Sequence, residues 1–140
     1  MIRPMHRGDV PSVVNLCDQL GYHVTAEELE ARMGALHAED GHLLLVAEVG
    51  VVVGWVHARI SQLLTDPAIV EIAGLVVSDT ARGLGTGRSL VVAVEQWAWS
   101  LGLSQVHLRS NVKRRKAHKF YEALGYRRVK RSEVFVKALE

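Results

Sequence analysis

Nothing in the chain constrains its fold more than ARGLGTGRS, residues 81–89. Glycine loses more backbone freedom on folding than any other residue, so Gly83, Gly85 and Gly87 in so short a span need a structural reason. The apolar run LVV ends just before the stretch, and LVVAV follows it at once. A strand, a glycine-rich turn and a helix N-terminus in that order expose backbone N–H groups that lack an intrahelical partner. The helix dipole favours negative charge at the same point. Arg82 and Arg88 add positive charge there.

Phosphate-bearing ligands use such a cradle in several ways. The P-loop pattern G-x-x-x-x-G-K-[ST] fails, because Gly83 to Gly87 is one residue too short and Arg88 stands where lysine is needed. The dinucleotide pattern G-x-G-x-x-G fails at its last spacing, and no acidic residue ends a strand about twenty residues on. Coenzyme A needs the same backbone cradle for its pyrophosphate. The pattern Arg82-x-x-Gly85-x-Gly87 opening a helix fits that need without a gap. A purely structural turn is the remaining reading of the loop taken alone.

The length of 140 residues suits a single domain over residues 1–140 with one core. Hydrophobic residues at 49% and charged residues at 23% set aside the disordered and collagen-like classes. No apolar run is long enough to span a bilayer, and MIRPMHRGDV lacks the apolar stretch of a signal peptide. A lone cysteine, Cys17, cannot pair within the chain, which fits a reducing compartment and a cytoplasmic location. The histidines show no metal-ligand spacing with each other or with Cys17, so no metal is expected.

The net charge of +2 hides an uneven distribution. Residues 109–131 hold ten of the 17 Lys and Arg and one acid, Glu122, for about +9, while the remaining 14 acids against seven bases give about −7. Such asymmetry suits an anionic ligand at one end and a cationic one elsewhere; a solvated basic helix face explains it equally well.

Periodicity gives the order of elements. IRPM is a short extended start. Asp9 precedes Val13, Leu16, Cys17 and Leu20 at helical spacing, with Gly21 as the stop. Thr25 and Glu28 form a capping box for a second helix carrying Leu29, Met33 and Leu36. HLLLVAEV and VVVGWVHARI make an antiparallel hairpin about Gly50, and AIVEIAGLVV is the next strand. Gly74 inside that strand marks a bulge. A helix follows the glycine loop with Leu90, Val91, Val94, Trp97, Ala98 and Leu101 on one face. QVHLRS is a strand, RRKAHKFYEALG a helix, and RRVKRSEVFVKAL the last strand or strands. The order β-α-α-β-β-β-α-β-α-β describes an α/β domain with a mixed, mostly antiparallel sheet flanked by helices.

The strand EIAGLVV, the loop ARGLGTGRS with its helix, Asn111 at a strand end and the A-H-x-F-Y-x-x-x-G-Y helix ending in NVKRRKAHKFYEALGY together resemble the GNAT superfamily of acyl-CoA-dependent N-acetyltransferases. The match is close over residues 70–126 and one of pattern over residues 1–65. The resemblance implies a GNAT-like fold and acetyl-CoA as co-substrate. It implies that Leu75, Val76 and Val77 bind the pantetheine amides through their backbone, as if a further strand were added. The loop Arg82, Gly83, Leu84, Gly85, Thr86, Gly87 and Arg88 would hold the pyrophosphate, and Asn111 would face the cofactor. Arg114 and Lys119 are candidates for the 3′-phosphate of the coenzyme. The family splays the glycine-loop strand from the next strand, and Gly74 is the expected start of that splay.

Acetyl transfer to an amine needs a neutral amine, a polarised thioester, a stabilised oxyanion and a protonated leaving thiolate. A backbone N–H near Leu75 or Val76 is the expected oxyanion donor, and Tyr121 the expected general acid. Core packing is the competing reading of Tyr121, which shares a face with Ala117, Phe120 and Leu124. Glu71 is the candidate base. The family often has a carboxylate two residues further on, where this chain has Ala73, so Glu71 is either a displaced base or an attractant for a cationic substrate. His118 is read as structural or cofactor-contacting, His57 and His107 as packing, and Cys17 as core.

The expected activity is transfer of acetyl from acetyl-CoA to a primary amine, on a small molecule or a peptide, directly in a ternary complex. Neither nucleic acid nor membrane is an expected partner, and a homodimer is allowed. A nucleic-acid-binding module built on KRRKAHK and RRVKR is the rival class, weakened by the lack of interleaved aromatics and of a recognition-helix pattern. An inactive acyl-CoA-binding family member is a second alternative, motivated by Ala73.

Overall fold

The structure, a computed structural model, describes residues 1–110 and 112–140, so the expectation for Asn111 falls outside the described residues. The chain divides into two units, Met1–Arg109 and Ser110–Glu140.

The first unit is built on a five-stranded sheet of strand order β1-β2-β3-β4-β5. The strands are β1 (Ile2–Pro4), β2 (His42–Val49), β3 (Val51–Ser61), β4 (Ile69–Val77) and β5 (Val106–Leu108). All neighbours pair antiparallel except β4 and β5, which are parallel. Helices α1 (Val10–Gln19) and α2 (Ala26–Ala38) lie between β1 and β2, and α3 (Thr86–Ser100) between β4 and β5.

Alternation along β3 assigns the two faces of the sheet. Trp55 packs against a cluster that includes Met5, Val10, Val13, Cys17 and Met33, so its face is covered by α1 and α2. A Cβ at neighbouring Gly54 would point at Leu90 and Thr86 of α3, so that helix covers the opposite face. Leu90, Val91 and Val94 are fully buried there, as the helical spacing requires, together with Val56 of β3. Trp97 is half-buried, while Trp99 is exposed.

The helix starts follow the sequence in one case and depart from it in another. Thr25 Oγ1 accepts the Glu28 N–H at 3.1 Å and Glu28 Oε1 accepts the Thr25 N–H at 3.0 Å, which is the expected reciprocal cap. Asp9 occupies the N-cap position of α1 but makes no side-chain cap bond. Its buried carboxylate instead takes two 2.8 Å bonds from Arg3 and one of 2.9 Å from the His6 N–H, tying β1 to the entry of α1. A guanidinium with its fixed fork of donors outcompetes the local N–H groups for that carboxylate, and together these bonds hold the Asp9 pKa below its ordinary value.

The second unit carries α4 (Arg115–Ala123), with the Tyr121 ring edge-on to Phe120 and to Tyr126 at centroid distances of 5.1 and 6.1 Å. The final strand expected over RRVKRSEVFVKAL does not form: among the described residues no helix or strand follows α4. Val134, Phe135 and Val136 are 79, 92 and 90% exposed. The segment has the composition of a strand but no ladder partner, and a strand without a neighbour leaves its backbone to water.

Candidate functional site

The glycine loop folds as a ligand cradle requires. After β4 a short 3-10 turn at Asp79–Ala81 leads into Arg82 in extended conformation. Gly83 and Gly85 then take φ of +80° and +82°, the left-handed region that a Cβ disfavours. Gly85 is the N-cap of α3. Its carbonyl accepts the Ser89 N–H at 3.0 Å, closing the first turn and leaving the N–H groups of Thr86, Gly87 and Arg88 at the helix start. Arg82, Gly83, Leu84 and Arg88 are exposed, and Thr86 and Gly87 half-buried. Arg82 Nη1 lies 3.1 Å from Asp79, so part of its charge is met within the loop.

β4 supplies the second element. Its pairing with β5 covers Val70–Ile72 against Val106–Leu108, and β4 runs on to Val77 past that ladder. On its other edge Leu75, Val76 and Val77 stay in register with Val56, Trp55 and Gly54 of β3. The pairing steps from Ala58–Ile72 to His57–Gly74, which makes Ala73 the extra residue of a β-bulge. The irregularity expected at Gly74 therefore begins one residue earlier, at the point where the β4–β5 ladder stops. Among the described residues, Leu75–Val77 thus lie beyond the end of the β4–β5 ladder.

Glu71 is placed just before the end of this ladder, and it is clamped. Arg59, its register partner on β3, donates from Nη2 at 2.7 Å and Nε at 3.0 Å to one carboxylate oxygen. Arg109 Nε stands 3.8 Å from the other oxygen.

Three residues that sequence reasoning did not join lie on the face covered by α1 and α2. His57, opposite Gly74, contacts His42 of β2 through Nε2 to Nδ1 at 3.0 Å, and His42 Nε2 lies 3.2 Å from Glu39 Oε2 at the end of α2. Burial, then the nearby His42 and Arg59, pull the His57 pKa below its ordinary value. Strand-register knowledge was the missing signal, since His42 and His57 lie fifteen residues apart.

In the second unit Tyr121 is half-buried, and that burial raises its phenol pKa above the ordinary value, with Arg114 pulling the other way. Arg114 and Lys119 are exposed on α4 and at its N-cap. Among the described residues no group of side chains could hold a metal ion, and no helix is long and apolar enough to cross a membrane.

Comparisons with known proteins agree with this fold. A putative acetyltransferase from Agrobacterium tumefaciens str. C58 superimposes with a TM-score of 0.87 at 25% identity, covering 98% of this chain and 99% of that one. The aminoglycoside antibiotic 6'-N-acetyltransferase AAC(6')-IG from Acinetobacter haemolyticus gives 0.86 at 17% identity, over 100% and 99% of the two chains. AAC(6')-Iy, solved in complex with the bisubstrate analogue CoA-S-monomethyl-acetylneamine, gives 0.87 at 21% identity over 99% and 98%. The family model for the acetyltransferase (GNAT) family matches residues 13–126, most of the chain. With its glycine cradle, its bulged β4 and this match, the chain belongs to the GNAT acetyltransferase family and is an acyltransferase.

Proposed function

We propose that the protein transfers the acetyl group of acetyl-CoA to a primary amine by direct attack within a ternary complex. The observation that carries this is the run of Leu75–Val77 beyond the β4–β5 ladder of the described residues, followed by a glycine turn into α3, whose N-cap Gly85 makes no side-chain cap bond. Pantetheine amides extend an open strand edge as a further strand would, and a pyrophosphate suits the N-terminus of α3. The solved complex of AAC(6')-Iy with a CoA bisubstrate analogue supports the same assignment.

In this reading the amine nitrogen attacks the thioester carbonyl carbon, and a backbone N–H near Leu75 or Val76 holds the oxyanion. The C–S bond breaks and Tyr121 gives its proton to the departing thiolate. Its raised pKa supports that role, since the phenol stays protonated until a stronger base appears. Arg114 and Lys119 are assigned to the 3′-phosphate, and Asn111 to the cofactor, on the family resemblance. The acceptor is proposed to be a cationic amine, with an aminoglycoside among the candidates, and Glu71, held by Arg59 and Arg109, is assigned to its side of the site. Thiol release from acetyl-CoA on mixing with an aminoglycoside, a polyamine, an amino acid amide and a free peptide N-terminus tests the reading.

A further inference from the structure

The His57–His42–Glu39 chain has a fixed direction. A carboxylate only accepts hydrogen bonds, so Glu39 Oε2 requires the proton of His42 to sit on Nε2. In the neutral imidazole that leaves His42 Nδ1 as an acceptor, and at the 3.0 Å contact His57 Nε2 then donates. The remaining nitrogen of His57, Nδ1, then carries the lone pair. One end of the chain is half-buried opposite Gly74, beside the bulge at Ala73, and the other is Glu39, whose side chain is 68% exposed. The orientation matches that of an imidazole held by a carboxylate so that its free nitrogen can take a proton.

We propose that His57 is the general base of the acetyl transfer, with His42 and Glu39 as positioning residues that fix its tautomer and lead the proton to solvent. This rests on the acetyl-transfer reading above. The amine lone pair forms the C–N bond as the thioester C–S bond breaks, and one N–H proton passes to His57 Nδ1. The Nε2 proton of His57 moves to His42 Nδ1, the Nε2 proton of His42 moves to Glu39, and Glu39 releases it to water; both rings return to their starting tautomers by proton exchange with solvent before the next turnover. The thiolate takes its proton from Tyr121, which regains one from solvent, so the step balances. Glu71 on β4 is already held by Arg59 and Arg109, which leaves His57 as the uncommitted base at the bulge. The charged and titratable groups facing His57 are His42 from β2, Arg59 from its own strand, Glu71 beside Arg59, and Glu39 beyond His42. Burial, with Arg59 nearby, holds the His57 pKa below its ordinary value, so the base form is present at neutral pH and the rate falls once acid protonates it.

The test joins rates to the tautomer read by nitrogen-15 NMR of labelled imidazoles. His57→Gln should lower kcat about a hundredfold or more and remove the acid limb of the pH profile, with acetyl-CoA affinity and melting temperature held. Glu39→Lys, at an exposed position, replaces the acceptor by a donor. It should move the His57 proton to Nδ1 and lower kcat, while Glu39→Asp keeps both as in the parent. A His57→Gln enzyme within about twofold of the parent would exclude a general-base term of that size and overturn the proposal. So would a Glu39→Lys enzyme of full activity with the tautomer reversed. If His57→Gln does not fold, the Glu39→Lys result decides alone. A parent that acetylates none of the four amines removes the acetyl-transfer reading and this proposal together; an active parent with an equally active His57→Gln removes only the proposal.

Discussion

Trp55 lies against the face of Gly74: a Cβ built at Gly74 would stand 2.9 Å from both Cη2 and Cζ3 of the indole. The ring is packed into the cluster around Val13 and Met33, so it cannot swing away freely. Gly74, beside the bulge at Ala73, therefore sits where a close approach requires glycine. Gly74→Ala should destabilise the fold by about 1–3 kcal/mol, the usual cost of forcing extra atoms into packed surroundings. It should also lower kcat, because the displaced bulge carries the backbone of Leu75. Thermal unfolding and the acetylation rate check both; unchanged values would mean that the indole yields at no cost.

At the glycine loop, Gly85 holds φ at +82° as the N-cap of α3. Left-handed backbone costs a residue with a Cβ about 1–2 kcal/mol, and a carboxylate there repels a pyrophosphate. Acetyl-CoA at a hundredfold excess over its Kd should stabilise the parent by about 2.7 kcal/mol. Gly85→Glu should melt slightly lower and gain nothing from the ligand. A ligand-induced shift in Gly85→Glu equal to that of the parent would move the pyrophosphate away from this loop.

Tyr121 offers a test that separates packing from chemistry. Tyr121→Phe keeps the ring and its contacts with Phe120 and Tyr126 and removes only the hydroxyl. A general acid acts in the transition state, so kcat should fall about a hundredfold with little change in acetyl-CoA affinity or melting temperature. A purely structural Tyr121 leaves the rate within about twofold, which is far below any general-acid term.

The parts of the fold written in local patterns were legible. The capping box at Thr25 and Glu28, the apolar face of α3 and the glycine-rich turn that opens it depend only on residues a few positions apart. The final strand was misread for the converse reason. SEVFVKAL has strand composition, but strand formation depends on a neighbour, which local pattern does not contain. At the candidate site the glycine turn was legible and the side-chain neighbours were not. Glu71 reads as a base or as an attractant for a cationic substrate, and local pattern does not contain Arg59, which register places across from it. His42 and His57 looked like isolated strand residues. A bulge between Ala47 and Glu48 shifts the β2–β3 register by one residue, so counting outward from Gly50 would have mispaired them.

Direct transfer in a ternary complex is tested most directly by initial rates over a grid of acetyl-CoA and amine concentrations, with the acetylated amine identified by mass spectrometry. The account predicts one acetyl group on the amine and double-reciprocal lines that intersect, because both substrates must be bound before the C–S bond breaks. Parallel lines, the mark of an acetyl-enzyme that forms before the amine binds, or thiol release with no acetylated amine, would contradict it.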